Sequence, residues 1–88
     1  MEIRFDERVV LITGASTGIG AAVARAFGAA GAHVVVHYNQ SEAAAQAVAQ
    51  DIEAQGGTAL LARADVTDAQ QLQALIEQTM QRFGRIDI

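Results

Sequence analysis

Arg8-Val9-Val10-Leu11-Ile12-Thr13-Gly14-Ala15-Ser16-Thr17-Gly18-Ile19-Gly20 passes from a β-branched apolar run into a glycine-rich turn, and this change of pattern decides the fold. A short continuous apolar run suits a strand covered on both faces, so Arg8 to Thr13 reads as a first strand ended by Gly14. Beyond the turn, Ile19, Val23, Phe27 and Ala30 recur at spacings of four, four and three. That is one face of a helix closed by Gly31, and the many alanines around it allow close approach to a sheet.

Working outward, His33 to Tyr38 repeats the buried-strand signature, and the polar residues Asn39-Gln40-Ser41 break it. An alanine-rich helix follows to about Gln55, with Ser41 as its expected N-cap and Gly56-Gly57 as its stop. Thr58 to Ala64 holds a third, less apolar strand, expected nearer a sheet edge. Thr67-Asp68-Ala69-Gln70 has the spacing of a capping box, with the Thr67 hydroxyl and the Gln70 amide each meeting an orphan backbone donor. In the next helix Leu72, Leu75, Ile76, Met80 and Phe83 form the expected core stripe, and Gly84 ends it. Ile86-Asp87-Ile88 looks like the start of a fourth strand. The order β-α-β-α-β-α-β implies an α/β fold of parallel strands joined by right-handed crossovers.

Composition narrows the function classes. The 88 residues are 51% hydrophobic and 18% charged, which fits one small globular domain. The net charge is −4, with six Arg, no Lys and no basic run, so nucleic acid is not an expected partner. There is no Cys, which excludes disulfides and thiolate metal sites, and two His are too few for an ordinary zinc site without carboxylate help. The N-terminal stretch Met1 to Arg8 alternates charges instead of pairing a basic start with an apolar run, and no apolar stretch is long enough to span a bilayer. A cytoplasmic location is the expectation, with no membrane partner.

The turn itself suits a phosphate ligand. Gly14 permits a sharp exit from the strand, Gly18 lets a ligand touch bare backbone, and Gly20 allows the helix to pack closely. Exposed N–H groups at the positive end of the helix dipole make a pyrophosphate site, and Ser16 and Thr17 add hydroxyl donors. A P-loop is ruled out because it needs a lysine and the chain has none. The strict Gly-x-Gly-x-x-Gly pattern also fails, since Ala21, Ala22 and Val23 follow Gly18-Ile19-Gly20. A receiver-like signalling domain would want clustered acids at the end of the first strand, where Thr13 and Gly14 stand instead.

Thr13 to Gly20 resembles the Thr-Gly-x-x-x-Gly-x-Gly signature of the short-chain dehydrogenases/reductases. Ala64-Asp65-Val66-Thr67-Asp68 is similar to that family's adenine-contacting segment, and Phe83 to Ile88 to the segment running into its fourth strand. Within that family the chain resembles members of the 3-oxoacyl-carrier-protein reductase and glucose dehydrogenase kind. The resemblance implies a Rossmann-type doubly wound sheet of strand order 3-2-1-4, with residues 1–88 as the N-terminal part of one NAD(P)-binding domain. It implies that the backbone from Ser16 to Ile19 holds pyrophosphate, that Asp65 accepts the adenine amino proton, and that the Val66 N–H reaches a ring nitrogen. The implied activity is NAD(P)(H)-dependent carbonyl reduction or alcohol oxidation on a small substrate, in a homo-oligomer when complete. The alternative is a non-catalytic nucleotide-binding or regulatory module.

In dinucleotide folds an acid at the end of the second strand binds the ribose diol and repels a 2′-phosphate. This chain has Tyr38, Asn39, Gln40 and Ser41 there and no carboxylate until Glu42, so NADP(H) is favoured over NAD(H). Tyr38, Asn39 and Ser41 are the expected phosphate donors. The basic residue that many NADP-preferring members carry is replaced by Thr17 and Asn39. His33 and His37 read as ordinary strand residues.

The family's carbonyl chemistry uses a Tyr acid, a Lys that lowers its pKa and a Ser. The only Tyr is Tyr38 and there is no Lys, so no catalytic residue is assigned in this chain. A chain ending at Ile88 is expected to leave its first strand poorly paired on one side, with apolar surface exposed, and to aggregate or bind nucleotide weakly unless a complementary chain is present.

Overall fold

The computed structural model describes residues 4–88; the first three residues of the charged N-terminal stretch lie outside it. Six elements alternate along the chain: β1 (Val9–Ile12), α1 (Gly18–Ala29), β2 (His33–Tyr38), α2 (Glu42–Ala54), β3 (Thr58–Arg63) and α3 (Ala69–Phe83). The strands form a parallel sheet of order β1-β2-β3, in register from Val9 against His33 and from His33 against Thr58. β3 is therefore an edge strand, which suits its weaker apolar run.

Ile86 to Ile88 does not form a full strand, but its backbone already lies along β1. The Ile88 N–H donates to the Val9 carbonyl at 3.2 Å and the Leu11 N–H to the Ile88 carbonyl at 2.8 Å. This is the pattern of a parallel bridge opposite Val10. Asp87 fixes it: its carboxylate accepts from the Val9 N–H at 2.9 Å and pairs with Arg85 at 2.6 Å. The sheet itself has three strands, in the order β3-β2-β1, and residues 87 and 88 hydrogen-bond along the side of β1 expected to be poorly paired.

The alternation of β2 divides the core. Val34, Val36 and Tyr38 point to the α1 and α2 face with Val10, Ala24, Val48 and Ile52, whereas Val35 points to the α3 face with Val9, Ala62 and Leu75. The buried side of α1 is not the expected one. Ala21, Ala24 and Gly28 face inward, while Ile19 is 85% and Val23 38% exposed. The reason is close packing: a Cβ on Gly28 would meet Ile52 at 2.7 Å, so only small residues fit between α1 and α2. In α3 Leu75 and Thr79 are buried, Leu72 and Phe83 are partly buried against the same cluster, and Ile76 and Met80 are exposed. Thr79 can stand in the core because its hydroxyl donates to the Leu75 carbonyl at 2.9 Å.

Candidate functional site

Parallel strands place all their C-terminal ends on one edge, and the segments singled out from the sequence meet there: Gly14–Gly20 after β1, Tyr38–Ser41 after β2, and Asp65–Val66 after β3. Two backbone bonds tie these exits together, Ala15 N–H to the His37 carbonyl at 2.9 Å and Ala64 N–H to the Tyr38 carbonyl at 3.1 Å. The apolar hollow lined by Phe5, Ala26, Phe27 and Ala30 lies at the other end of α1, away from this edge.

In the first segment, Gly14 and Gly18 have φ of +63° and +60°, and a Cβ on either would meet open space. Their glycines serve the backbone path and leave its surface bare. Gly20 is different, because its Cβ would strike the Gly14 carbonyl oxygen. That contact seats the start of α1 on the turn. Thr17, the N-cap, is extended and makes no side-chain cap bond. Among the described residues, no protein acceptor meets the N–H groups of Ser16, Thr17, Gly18, Ile19 or Gly20. A run of unfilled donors at a helix start is a cradle for a multiply charged anion.

The turn is held from below by a residue that the sequence reading treats as ordinary. His37 is 4% exposed; the Gly14 N–H donates to its Nδ1 at 3.0 Å, and its Nε2–H donates to the Ala64 carbonyl at 2.7 Å. The two partners dictate the tautomer, since an amide can only donate and a carbonyl can only accept. One imidazole therefore fastens the exit of β1 to the exit of β3. A polar residue in an otherwise valine-built strand was the available signal. His33, by contrast, lies against the Phe83 ring at 5.1 Å, with its Nδ1 buried and, among the described residues, without a hydrogen-bond partner.

After β3, Asp65 accepts at one carboxylate oxygen from the Thr67 hydroxyl at 2.6 Å and from the Thr67 N–H at 3.0 Å. These bonds favour the charged form and hold the Asp65 carboxyl below its ordinary value. Its second oxygen and the Val66 N–H have no partner among the described residues. An acceptor and a donor side by side match the edge of an adenine ring. The expected capping box is not formed, because Thr67 is spent on Asp65. Asp68 caps α3 instead, accepting from the N–H groups of Gln70 and Gln71, and the Gln71 side chain accepts from the Asp65 N–H at 2.8 Å.

After β2, Asn39 and Ser41 are exposed, and Ser41 stands at the α2 N-cap without the side-chain bond expected of it. Tyr38 is 7% exposed and packs in the α1/α2 core, so its ring is committed to the interior. Arg63, which the sequence reading passed over, reaches across from β3: its Nε–H donates to the Asn39 carbonyl at 3.1 Å.

Among the described residues no His and carboxylate cluster could hold a metal, and no helix is long and apolar enough to cross a membrane. A family model described as short chain dehydrogenase matches residues 8–88. An uncharacterized oxidoreductase of Methylorubrum extorquens is 47% identical over 85 residues, 97% of this chain and 34% of that protein. The 3-oxoacyl-(acyl-carrier-protein) reductase of Synechocystis is 48% identical over 81 residues, 92% of this chain and 33% of that protein. A dehydrogenase of Burkholderia cenocepacia with bound NADP superposes with a TM-score of 0.90 at 36% identity, covering 99% of this chain and 34% of that one. The hydroxysteroid dehydrogenase of Escherichia coli does so with a TM-score of 0.90 at 40% identity, over 97% of this chain and 36% of that one. The chain spans about a third of the length of the curated relatives it matches.

Proposed function

Because the chain belongs to the short chain dehydrogenase family, we propose that residues 1–88 are the dinucleotide-binding part of an NAD(P)(H)-dependent oxidoreductase. The intact protein reduces a small carbonyl or oxidises an alcohol, and the 88 residues belong to one Rossmann domain whose catalytic Ser, Tyr and Lys lie outside them. The observation that carries this reading is the row of unfilled N–H groups from Ser16 to Gly20 at the edge where Asp65 and Val66 also present theirs.

In this assignment the amides around Ser16 to Ile19 bind the pyrophosphate, with hydroxyls of Ser16 and Thr17 beside them. Gly14 and Gly18 keep the approach free of side chains, and Gly20 seats the helix dipole behind it. The free oxygen of Asp65 accepts from the adenine amino group and Val66 donates to the ring. The absence of a carboxylate from Tyr38 to Ser41 favours NADP(H) over NAD(H), with Asn39 and Ser41 donating to the 2′-phosphate and Tyr38 supporting their loop from the core. When bound, the nicotinamide supplies or accepts the hydride; the residues of this chain bind and orient. Titration of the full-length polypeptide with NADPH and NADH, followed by cofactor fluorescence, tests the assignment. Saturable binding that is weakened by Gly18→Asp is the expected result. No saturable signal with either nucleotide overturns it.

A further inference from the structure

The geometry points to Arg63 as the cation that selects NADP(H) over NAD(H), a role that rests on the dinucleotide reading above. The loop after β2, Asn39 to Ser41, holds no basic residue, and the fold supplies one from the neighbouring strand. Arg63 is the last residue of β3 and the register partner of Tyr38, the last residue of β2. Partners in a parallel pair project to the same face, so the Arg63 side chain leaves the sheet beside the Asn39–Ser41 loop.

Three observations make it a phosphate group's partner instead of a structural ion pair. First, Arg4, Arg8, Arg25 and Arg85 each pair with an aspartate, and Arg82 lies over the Phe83 ring. Arg63 has no carboxylate partner among the described residues, and only its Nε–H is used. Its terminal amino groups remain as donors on an exposed guanidinium. Second, the bond to the Asn39 carbonyl anchors the near end of the guanidinium, which lowers the ordering cost of presenting the rest. Third, Ser41, two residues along the same loop from the Asn39 carbonyl that Arg63 meets, makes no side-chain cap bond, so its hydroxyl is a further donor on that loop. Glu42 is the one acid in the first turn of α2 and is exposed to solvent. A 2′-phosphate is a dianionic acceptor that matches these donors, whereas the ribose diol of NAD(H) brings no charge for Arg63 to meet.

The test measures affinities of the full-length polypeptide for NADPH and NADH, and for adenosine 2′,5′-bisphosphate against AMP, in the wild type and in Arg63→Gln and Arg63→Lys. A charge-assisted contact of this kind is expected to give a NADPH-to-NADH affinity ratio that falls about tenfold or more in Arg63→Gln, the loss lying on the phosphorylated ligands. Arg63→Lys, which keeps the charge without the anchored fork, should fall between. The wild-type ratio should shrink with added salt and the Arg63→Gln ratio should not. If the wild type binds both nucleotides equally, or Arg63→Gln keeps the wild-type ratio, the assignment of Arg63 fails while dinucleotide binding stands. A wild type that binds neither nucleotide removes the underlying reading, and Arg63's role with it.

Discussion

Helices α1 and α3 both start at the C-terminal end of a parallel strand, and their first turns are finished in opposite ways. α3 closes itself: Asp68 accepts from the N–H groups of Gln70 and Gln71, and Gln71 in turn accepts from Asp65. α1 leaves its first turn unfilled behind a Thr17 that makes no cap bond, on a loop that glycines keep bare. Both helices carry the same dipole. What separates a binding edge from a structural one is whether the protein spends its own oxygens on the orphan amides. α2 stands between them: Ser41 makes no side-chain cap bond, the Gln40 carbonyl accepts from the Glu42 N–H, and Arg63 meets the preceding loop at Asn39.

Substitutions can break this contrast. The largest effect is expected from Gly20→Val, whose side chain would collide with the Gly14 carbonyl and push α1 off its turn; such overpacking costs about 3 kcal/mol. Chemical denaturation would measure it, and an unchanged midpoint would show that the seating is loose. His37→Leu comes next, because it strands the Gly14 N–H, which solvent can partly meet, and the buried Ala64 carbonyl, for a combined cost of about 2 kcal/mol. Asn at the same place keeps an acceptor for Gly14 and should recover part of that stability. Equal losses for Leu and Asn would mean that packing, and not the clasp, is what His37 provides.

The contrast is sharpened by making α1 resemble α3. Thr17→Asp would give α1 a capping carboxylate where the anion is proposed to sit. Stability should hold or rise while affinity for NADPH drops by about tenfold, a pairing of effects that an inert loop would not produce. Conversely, Asp68→Ala should cost about 1 kcal/mol of stability through the lost cap and leave nucleotide affinity within about twofold. The smallest effect concerns pH. Since the Asp65 carboxyl is held below its ordinary value by Thr67, its stabilising contribution is present above the unfolded-state value and is lost as pH falls through the lower, folded-state value. Carboxyl chemical shifts should therefore record Asp65 titrating below the free side chain, and Thr67→Ala should move it back up.

Much of this architecture is legible residue by residue. The bounds His33–Tyr38 are read directly from the apolar run, and the helix stops at Gly31, Gly56 and Gly84 fall where φ is +91°, +91° and +77°. The glycine turn and its helix are likewise local. The inward face of α1 was not legible, because the periodicity of large apolar residues marks Ile19 and Val23, and close packing against Ile52 selects the small ones. Thr67 and Asp68 are both good caps by type. The Asp68 N–H bond to the Asp65 carbonyl at 3.0 Å turns the chain so that Asp68 reaches the helix and Thr67 reaches Asp65.

By itself the sequence determined the alternation of elements, their parallel arrangement and the loop able to cradle an anion, since period, propensity and glycine backbone freedom all act within a few residues. Only the tertiary structure decided which side chains complete that edge. His37 meets Gly14 and Ala64 from 23 and 27 residues away, and Arg63 meets Asn39 from 24. Those partners are chosen by the register of the parallel strands, which is settled when two sheet faces are buried at once and is written in no single stretch of chain.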